Sequence, residues 1–308
     1  MKRIIILSLM AAVLLTGCKQ CPAQEPVRKM PVGVQLYSVR TDLAQDFYGT
    51  LKKVSEMGYQ GVEFYGEYYG HTPTEVKRMC AELGLIPFSN HVPFDQLMND
   101  IDKVIEENTI IGVQYIVFPY MDTPSRPGVD PEKFKETVAR IAEAGTRVNE
   151  AGFILLYHNH DFEFAPLPDG TPGHDFIFDT TPEDLVQMEL DVCWADFAGF
   201  NPAERIVKYA GRTPVVHMKD YYLEGKLSGD PYALIGIDSS NATESEGKFE
   251  FRPLGEGVVD IPAVIKAAAE SGARWICVEQ DEPSAADEGD RFAGIARSAQ
   301  YLREKGLL

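Results

Sequence analysis

Basic residues are scarce in this 308-residue chain: 29 Lys and Arg stand against 47 Asp and Glu, a formal net charge of −18. Gripping a phosphate backbone requires a basic surface, so nucleic acid is excluded as a partner. Anionic substrates are disfavoured too, unless a local Lys or Arg overrules the balance. Cysteine is also sparse. Cys80, Cys193 and Cys277 lie far apart with no C-x-x-C spacing, which argues against a disulfide framework or a zinc ribbon and marks them as buried thiols. No G-x-G-x-x-G or P-loop follows the first apolar run, which weakens nucleotide binding. Low-complexity tracts and long charge runs are missing, so no disordered region is expected beyond the N-terminal segment. Past residue 17 no apolar stretch is long enough to span a bilayer.

The N-terminus reads as an address. Lys2 and Arg3 precede the apolar run "IIILSLMAAVLL", too short for a comfortable membrane span, and "LTGC" ends it at Cys18. That ending resembles the bacterial lipoprotein processing site, at which the cysteine is acylated and becomes the new N-terminus; an ordinary secretory signal is the alternative. The expected division is a lipoprotein signal peptide over 1–17, a polar, proline-containing tether over 18–30 and one folded domain over 31–308. Cys21 reads as a bystander in the tether. Such a chain is exported and touches the membrane only through its lipid, at the periplasmic or the outer surface.

The remaining residues alternate short β-rich runs with helical patterns. The runs are "VGVQLYS" (32–38), "GVEFYG" (61–66), "LIPFSNHV" (85–92), "YIVFPY" (115–120), "FILLYHNH" (153–160), "VQMELDVCW" (186–194), "PVVHMKD" (214–220) and "WICVEQDE" (275–282). Between them lie segments such as "PEKFKETVARIAEAGTRVNEAG", which opens with Pro after Asp130 and stops at Gly152, the asymmetry of a helix start and end. Eight strand–helix beats predict parallel strands with crossover helices, closing into a single α/β (β/α)8 TIM barrel in preference to a doubly wound open sheet. The connections over 161–182 and 221–258 are too long for plain turns, and the second is expected to cover the barrel mouth.

The ends of the runs carry the chemistry: Gln35 and Tyr37, Glu63 and Tyr65, Asn90 and His91, His158, Asn159 and His160, Asp191 and Trp194, His217 and Lys219, Glu279 and Asp281. A barrel brings these ends to one face. Taken singly, each is an ordinary polar residue at a strand end. Together they supply imidazoles and carboxylates suited to one divalent ion, Mn, Zn, Co or Mg. Alternation puts Val215, His217 and Lys219 on one face of their strand, and Trp275, Cys277 and Glu279 on one face of theirs. Trp194, Tyr37, Tyr65 and Phe94 are candidates for an apolar wall against a sugar ring, or for aromatic core. His91, after Ser89 and Asn90, reads as a substrate contact, whereas His71 and His174 lie in loops and receive no role.

"GVEFYG", "LDVCWAD", "VHMKD" and "VEQDE" resemble the strand-end motifs of the sugar phosphate isomerase/epimerase family, the xylose-isomerase-like barrels, from about residue 30 onward. The resemblance implies a divalent ion held by Asp191, His217 and Glu279, with a fourth ligand after the fifth strand. There the family's "LEN" is matched by "YHN", so His158 stands where a glutamate is expected. Symmetric epimerisation between two glutamates is thereby put in doubt. A Y-H-x-H ending is instead similar to inosose dehydratases, and related barrels cleave 3-keto-glycosides by β-elimination. The expected site therefore has metal ligands His158, Asp191, His217 and Glu279, with Glu163 the next residue in line. Glu279, His160 and Lys219 are the catalytic candidates, and Glu63, His91, Asn159, Trp194 and Tyr37 the substrate contacts. The expected activity is metal-dependent proton abstraction beside a carbonyl on a sugar or keto-sugar, leading to isomerisation, epimerisation or elimination; a non-catalytic carbohydrate-binding lipoprotein is the rival from another class.

Overall fold

The computed structural model describes residues 29–225 and 247–308. Its strands are β1 (Val32–Gln35), β2 (Gly61–Phe64), β3 (Ile86–His91), β4 (Tyr115–Phe118), β5 (Ile154–His158), β6 (Gln187–Asp191), β7 (Val215–Met218), β8 (Asp220–Glu224), β9 (Lys248–Arg252) and β10 (Trp275–Val278). Eight of them form a closed barrel in the order β1-β10-β7-β6-β5-β4-β3-β2, while β8 and β9 pair separately as an antiparallel ribbon. Every barrel pairing is parallel, as crossover helices require. The expected (β/α)8 barrel is what forms.

The helices begin and end where local chemistry dictates. Asp130 accepts from the N–H groups of Glu132 and Lys133 to start the helix Pro131–Glu150, and Gly152 closes it with a φ of +88°. Thr72 and Glu75 form a reciprocal capping box at Pro73–Leu83. Helix faces pack outside the strands in one large apolar cluster that includes Leu51, Val76, Phe134, Ile141, Ile265 and Leu302.

Inside the barrel the filling is graded. Phe88 stacks on Trp275 with ring centroids 4.2 Å apart and planes 9° apart, joined by Tyr115, Val117, Leu156, Val215 and Cys277. This aromatic plug requires bare backbone opposite it. A Cβ on Gly33 would lie 2.3 Å from the Phe88 ring, and one on Gly61 would lie 2.8 Å from the Trp275 ring. Towards the C-terminal ends of the strands the interior turns polar, and the plug is the floor on which the polar layer rests.

Three features differ from the sequence expectation. The sixth run is strand only over Gln187–Asp191; Val192–Phe197 is helical because Asp191 caps it, accepting from the Trp194 N–H at 3.1 Å. The connection after β7 includes the β8–β9 ribbon, and its centre, 226–246, lies outside the described residues, as do Cys18, Cys21 and the whole N-terminal address. The connection 161–182 is not bare loop: it holds a 3-10 turn at Phe162–Phe164 and a helix at Gly173–Thr180. Among the described residues no helix is long and apolar enough to cross a membrane, and Cys80, Cys193 and Cys277 are buried free thiols.

Candidate active site

Strand alternation and register build the site. His158 on β5 is the register partner of Glu189 on β6, and Asp191 on β6 is the partner of His217 on β7. Inward-pointing residues two apart on each strand therefore form two polar tiers above the plug. The upper tier brings together His158, Asp191, His217 and Glu279, one ligand atom from each, all within 4.8 Å of one another and all buried. These are the four residues assigned to the ion from the sequence. Two imidazoles and two carboxylates in a buried cluster fit a divalent transition-metal ion.

Lys219, one residue past β7, is buried and has its Nζ 3.0 Å from Asp191 Oδ2, 2.7 Å from Glu279 Oε2 and 2.9 Å from Asp281 Oδ2. Burial pulls its ammonium down, but the three carboxylates outweigh that and hold it charged well above the usual lysine range. Its partners are thus neither Glu63 on β2 nor its own neighbour Asp220. Asp220 instead accepts the backbone N–H groups of Tyr221, Gly255, Gly257 and Val259, tying the return of the long connection to the barrel. The aspartate that ends "VHMKD" is thereby a structural anchor held by four backbone N–H groups.

The lower tier is a closed array of histidines and glutamates. His91 Nε2 lies 2.8 Å from Glu189 Oε1 and 3.2 Å from Glu63 Oε1; His217 Nε2 lies 3.0 Å and 2.5 Å from the same two oxygens. His91 reaches this point through a register shift in β3: Val62 pairs with Pro87 but Glu63 pairs with Ser89, so Phe88 and His91, an odd number of residues apart, both face inward. Burial lowers the His91 imidazole, yet Glu63 and Glu189 overcome it and raise it to about 9. His158 is held neutral. Burial, then the neighbouring His217, His91, His160 and Lys219, push it well below the ordinary value. Burial and Lys219 do the same to His160. Glu279 goes the other way: burial raises it, but Lys219 and His217 keep it ionised.

These tiers open into a cavity of about 520 Å³, large enough for a small sugar with room beside it. Its polar lining is His91, His158, His160, Lys219, Glu279 and Asp281; Tyr37, Tyr65, Phe94 and Tyr120 line it with Pro93 and Pro119, the Tyr120 ring lying edge-on to His160 at 5.5 Å. Lys219 is the only lysine or arginine in that lining among the described residues, and Asp95 and Asp122 sit near the rim.

Of the expected substrate contacts, His91 and Tyr37 line the cavity, with Tyr65 and Phe94 beside them. Three do not. Trp194 is fully buried behind His160, stacked parallel to Phe249 at 5.9 Å, because its segment is helical and turns the ring into the packing under the ribbon. Asn159 points away from the cavity and braces β6, its side chain accepting from the Asp191 N–H at 3.0 Å and donating to the Asp191 carbonyl at 3.2 Å. Glu63 is buried in the lower tier, one layer beneath the cavity. Glu163, the reserve ligand, is buried below the turn after β5 and accepts from Tyr157 Oη and the His160 N–H. His174 is buried against Phe164 and Arg205.

From the sequence Glu189 was not singled out, and Asp281 was named only as a strand-end residue without a part of its own. Glu189 and Asp281 each stand two positions from an assigned ligand, Asp191 and Glu279, so the period of a strand was enough to find them. Asp281 lines the cavity, and burial raises its carboxyl to about 7, with Lys219 opposing and Glu279 reinforcing the rise.

The family described as xylose isomerase-like TIM barrel matches residues 51–305. An inosose dehydratase of Clostridium beijerinckii is 28% identical over 189 residues, which is 60% of this chain and 60% of that protein. The chain thus matches less than two thirds of the length of that curated relative. A sugar phosphate isomerase/epimerase structure from Parabacteroides distasonis is 23% identical, with a TM-score of 0.69 over 92% of this chain and 96% of that one. The structure of IOLI protein with a zinc atom is 17% identical, with a TM-score of 0.60 over 90% of this chain and 96% of that one. At these identities the two structures speak to the fold. The match over 51–305, on a closed eight-stranded parallel barrel, makes the chain a member of the xylose isomerase-like TIM barrel family.

Proposed function

We propose that this chain is a metal-dependent enzyme that removes a proton from the carbon beside a carbonyl of an uncharged sugar or keto-sugar. The observation that carries the reading is the upper tier: His158, Asp191, His217 and Glu279 within 4.8 Å of one another, at the end of a cavity shared with a neutral imidazole and a buried ammonium. An ion held by those four residues would act as a Lewis acid towards the carbonyl oxygen. A zinc atom in the IOLI protein and dehydratase activity in the curated relatives support the reading.

The chain's own residues divide the work. His160 lines the cavity as a neutral imidazole, in the right state to take a proton from carbon. Lys219 stays charged, and with its three N–H donors taken by Asp191, Glu279 and Asp281 it acts as a fixed positive charge beside the oxygen on which negative charge gathers. Glu279, kept ionised beside Lys219, is the other acid/base candidate. With imidazole on one side and carboxylate on the other, the pair is asymmetric. Elimination, in which His160 takes the carbon-bound proton and the imidazolium so formed gives it to the departing oxygen, suits it better than epimerisation between two equal carboxylates. Isomerisation and epimerisation share the first step.

The scarcity of basic lining among the described residues favours uncharged substrates over sugar phosphates. Processing at Cys18, which belongs to this proposal, would put the enzyme outside the cytoplasm, where unphosphorylated sugars are met. Incubating metal-loaded protein with a panel of ketoses, inososes and keto-glycosides in D2O tests the common step. Deuterium entering the carbon beside the carbonyl, followed by NMR and dependent on added divalent ion, is expected for at least one substrate class. Binding of these sugars without exchange or turnover, under full metal loading, would replace the enzyme reading with a carbohydrate-binding one.

A further inference from the structure

Glu189 is a buried carboxylate at a barrel-interior position whose neighbours in the plug are apolar, and burying a charge there is costly unless something is gained by it. Its Oε1 lies 3.1 Å from His158 Nδ1, 3.0 Å from His217 Nε2 and 2.8 Å from His91 Nε2. One oxygen thus collects three imidazole nitrogens from three strands. A carboxylate only accepts hydrogen bonds, so each nitrogen facing it must carry its proton.

That requirement fixes two tautomers in opposite senses. A neutral imidazole has one protonated and one bare nitrogen. With the proton on Nδ1, His158 has its bare Nε2 on the side of Asp191, whose Oδ2 is 3.8 Å away. His217 turns its Nδ1 towards Glu279, whose Oε2 is 3.1 Å away, and with Nε2 held by Glu189 it is Nδ1 that gives up its proton when an ion takes the place of that hydrogen bond. Both lone pairs then face the space between Asp191 and Glu279, where an ion would need them. We propose that Glu189 is a positioning residue: it is not itself a ligand, but selects the nitrogen with which His158 and His217 each meet the ion. Glu63, whose Oε1 is 2.5 Å from His217 Nε2, assists at one of the two histidines, whereas at His158, among the described residues, Glu189 is the only lower-tier carboxylate in contact. The inference rests on the metal-site reading above and extends it to a residue which that reading does not require.

The test uses the full chain loaded with zinc, and the variants Glu189→Gln and Glu189→Asp. Long-range 15N–1H spectra of the imidazoles report which nitrogen bears the proton. Wild type should show Nδ1–H for His158 and Nε2–H for His217, with the partner nitrogens shifted by zinc. Competition with a chromophoric chelator should show zinc binding weakened about 10–100-fold in Glu189→Gln, the range seen when a residue orienting a histidine ligand is removed, with partial recovery in Glu189→Asp. Unfolding of the metal-free protein reports separately on the counter-charge that Glu189 gives to the His91 imidazole, which Glu189→Gln removes whether or not zinc is bound. Unchanged zinc affinity together with an easier unfolding would make Glu189 a structural residue and overturn the inference alone. Zinc lost in His91→Asn and kept in Asp191→Asn would put the ion in the lower tier, with Glu189 as ligand, and overturn it as well. A wild-type chain that binds no divalent ion would remove the metal-site reading and this inference together.

Discussion

Replacing Glu163 by glutamine should give a chain whose stability gains on that of wild type as the pH rises. The Glu163 side chain is fully buried, with Tyr157 Oη donating at 2.7 Å to Oε1 and the His160 N–H donating at 2.8 Å to Oε2. Burial pushes its carboxyl up to about 8, and the two donors only partly offset the rise. The folded chain therefore keeps this proton to a higher pH than the unfolded chain, for which the ordinary carboxylate value of 4.5 applies. Between those two values the folded state binds more protons than the unfolded one, so stability falls as the pH rises through that window, by about 1.4 kcal/mol per unit at full effect. Summed over the window, the loss is on the order of 4 kcal/mol, a large part of the roughly 5–15 kcal/mol that stabilises a domain.

Glutamine keeps an oxygen acceptor for one of the two donors and cannot ionise. The measurement is urea unfolding followed by the fluorescence of the two tryptophans, Trp194 and Trp275, both buried. The quantity to plot is the unfolding free energy of Glu163→Gln minus that of wild type at pH 5, 6, 7 and 8. The His91 imidazole, raised to about 9, also loses stability as the pH rises, but it does so in both proteins and drops out of the difference. The difference should climb steadily from pH 5 and level off beyond 8. A flat difference would mean that Glu163 is already ionised in the fold at neutral pH, and the desolvation argument for this residue would be wrong.

Three further outcomes are expected. His158→Ala should lose the divalent ion, measured by elemental analysis after gel filtration, whereas His160→Ala should keep it and turn over at least about 100-fold more slowly; full occupancy in both would remove His158 from the ligand set. Stripping the ion with a chelator should abolish turnover, with Zn, Co or Mn restoring it better than Mg, because two imidazoles in the donor set suit the transition metals; equal rescue by Mg would argue against histidine ligation. Cys18→Ser should leave an uncleaved precursor, or release the protein from membranes, in fractionated cells, and a soluble mature form beginning after Cys18 in the unaltered protein would rule out lipidation.

The fold was legible because a parallel barrel writes itself as repetition. Buried strands such as Tyr115–Phe118 and Trp275–Val278 read as apolar runs, and Asp130, Pro131 and Gly152 mark the helix between β4 and β5. What the pattern could not show is where a strand stops. The run "VQMELDVCW" alternates polar and apolar residues as far as Asp191 and then turns apolar, but the Asp191 side chain caps the backbone that follows it, and from that point the chain is helix. That one hydrogen bond removes Trp194 from the cavity wall.

The site was legible to the extent that strand ends converge, and it failed where a side chain's direction depends on more than its place in a run. Asn159 lies between His158 and His160, and alternation alone turns it away from the cavity, so its role as a brace for Asp191 was available in principle. The aim of His91 was not, because it depends on a register shift between β2 and β3 that no residue announces. Glu189 is the instructive omission. Reading Val215, His217 and Lys219 as one face was sound, and the same step taken backward from Asp191 gives Glu189. The last polar residue of each strand is what a ligand meets, so attention stops there. Yet a histidine ligand has two nitrogens, and what lies one layer deeper decides which of them is bare. In this chain that layer is Glu189 and Glu63, which reach the histidines that the sequence assigned to the ion. For any barrel whose mouth presents histidines, the residue two positions before each ligand on the neighbouring strand is therefore as informative as the ligand itself.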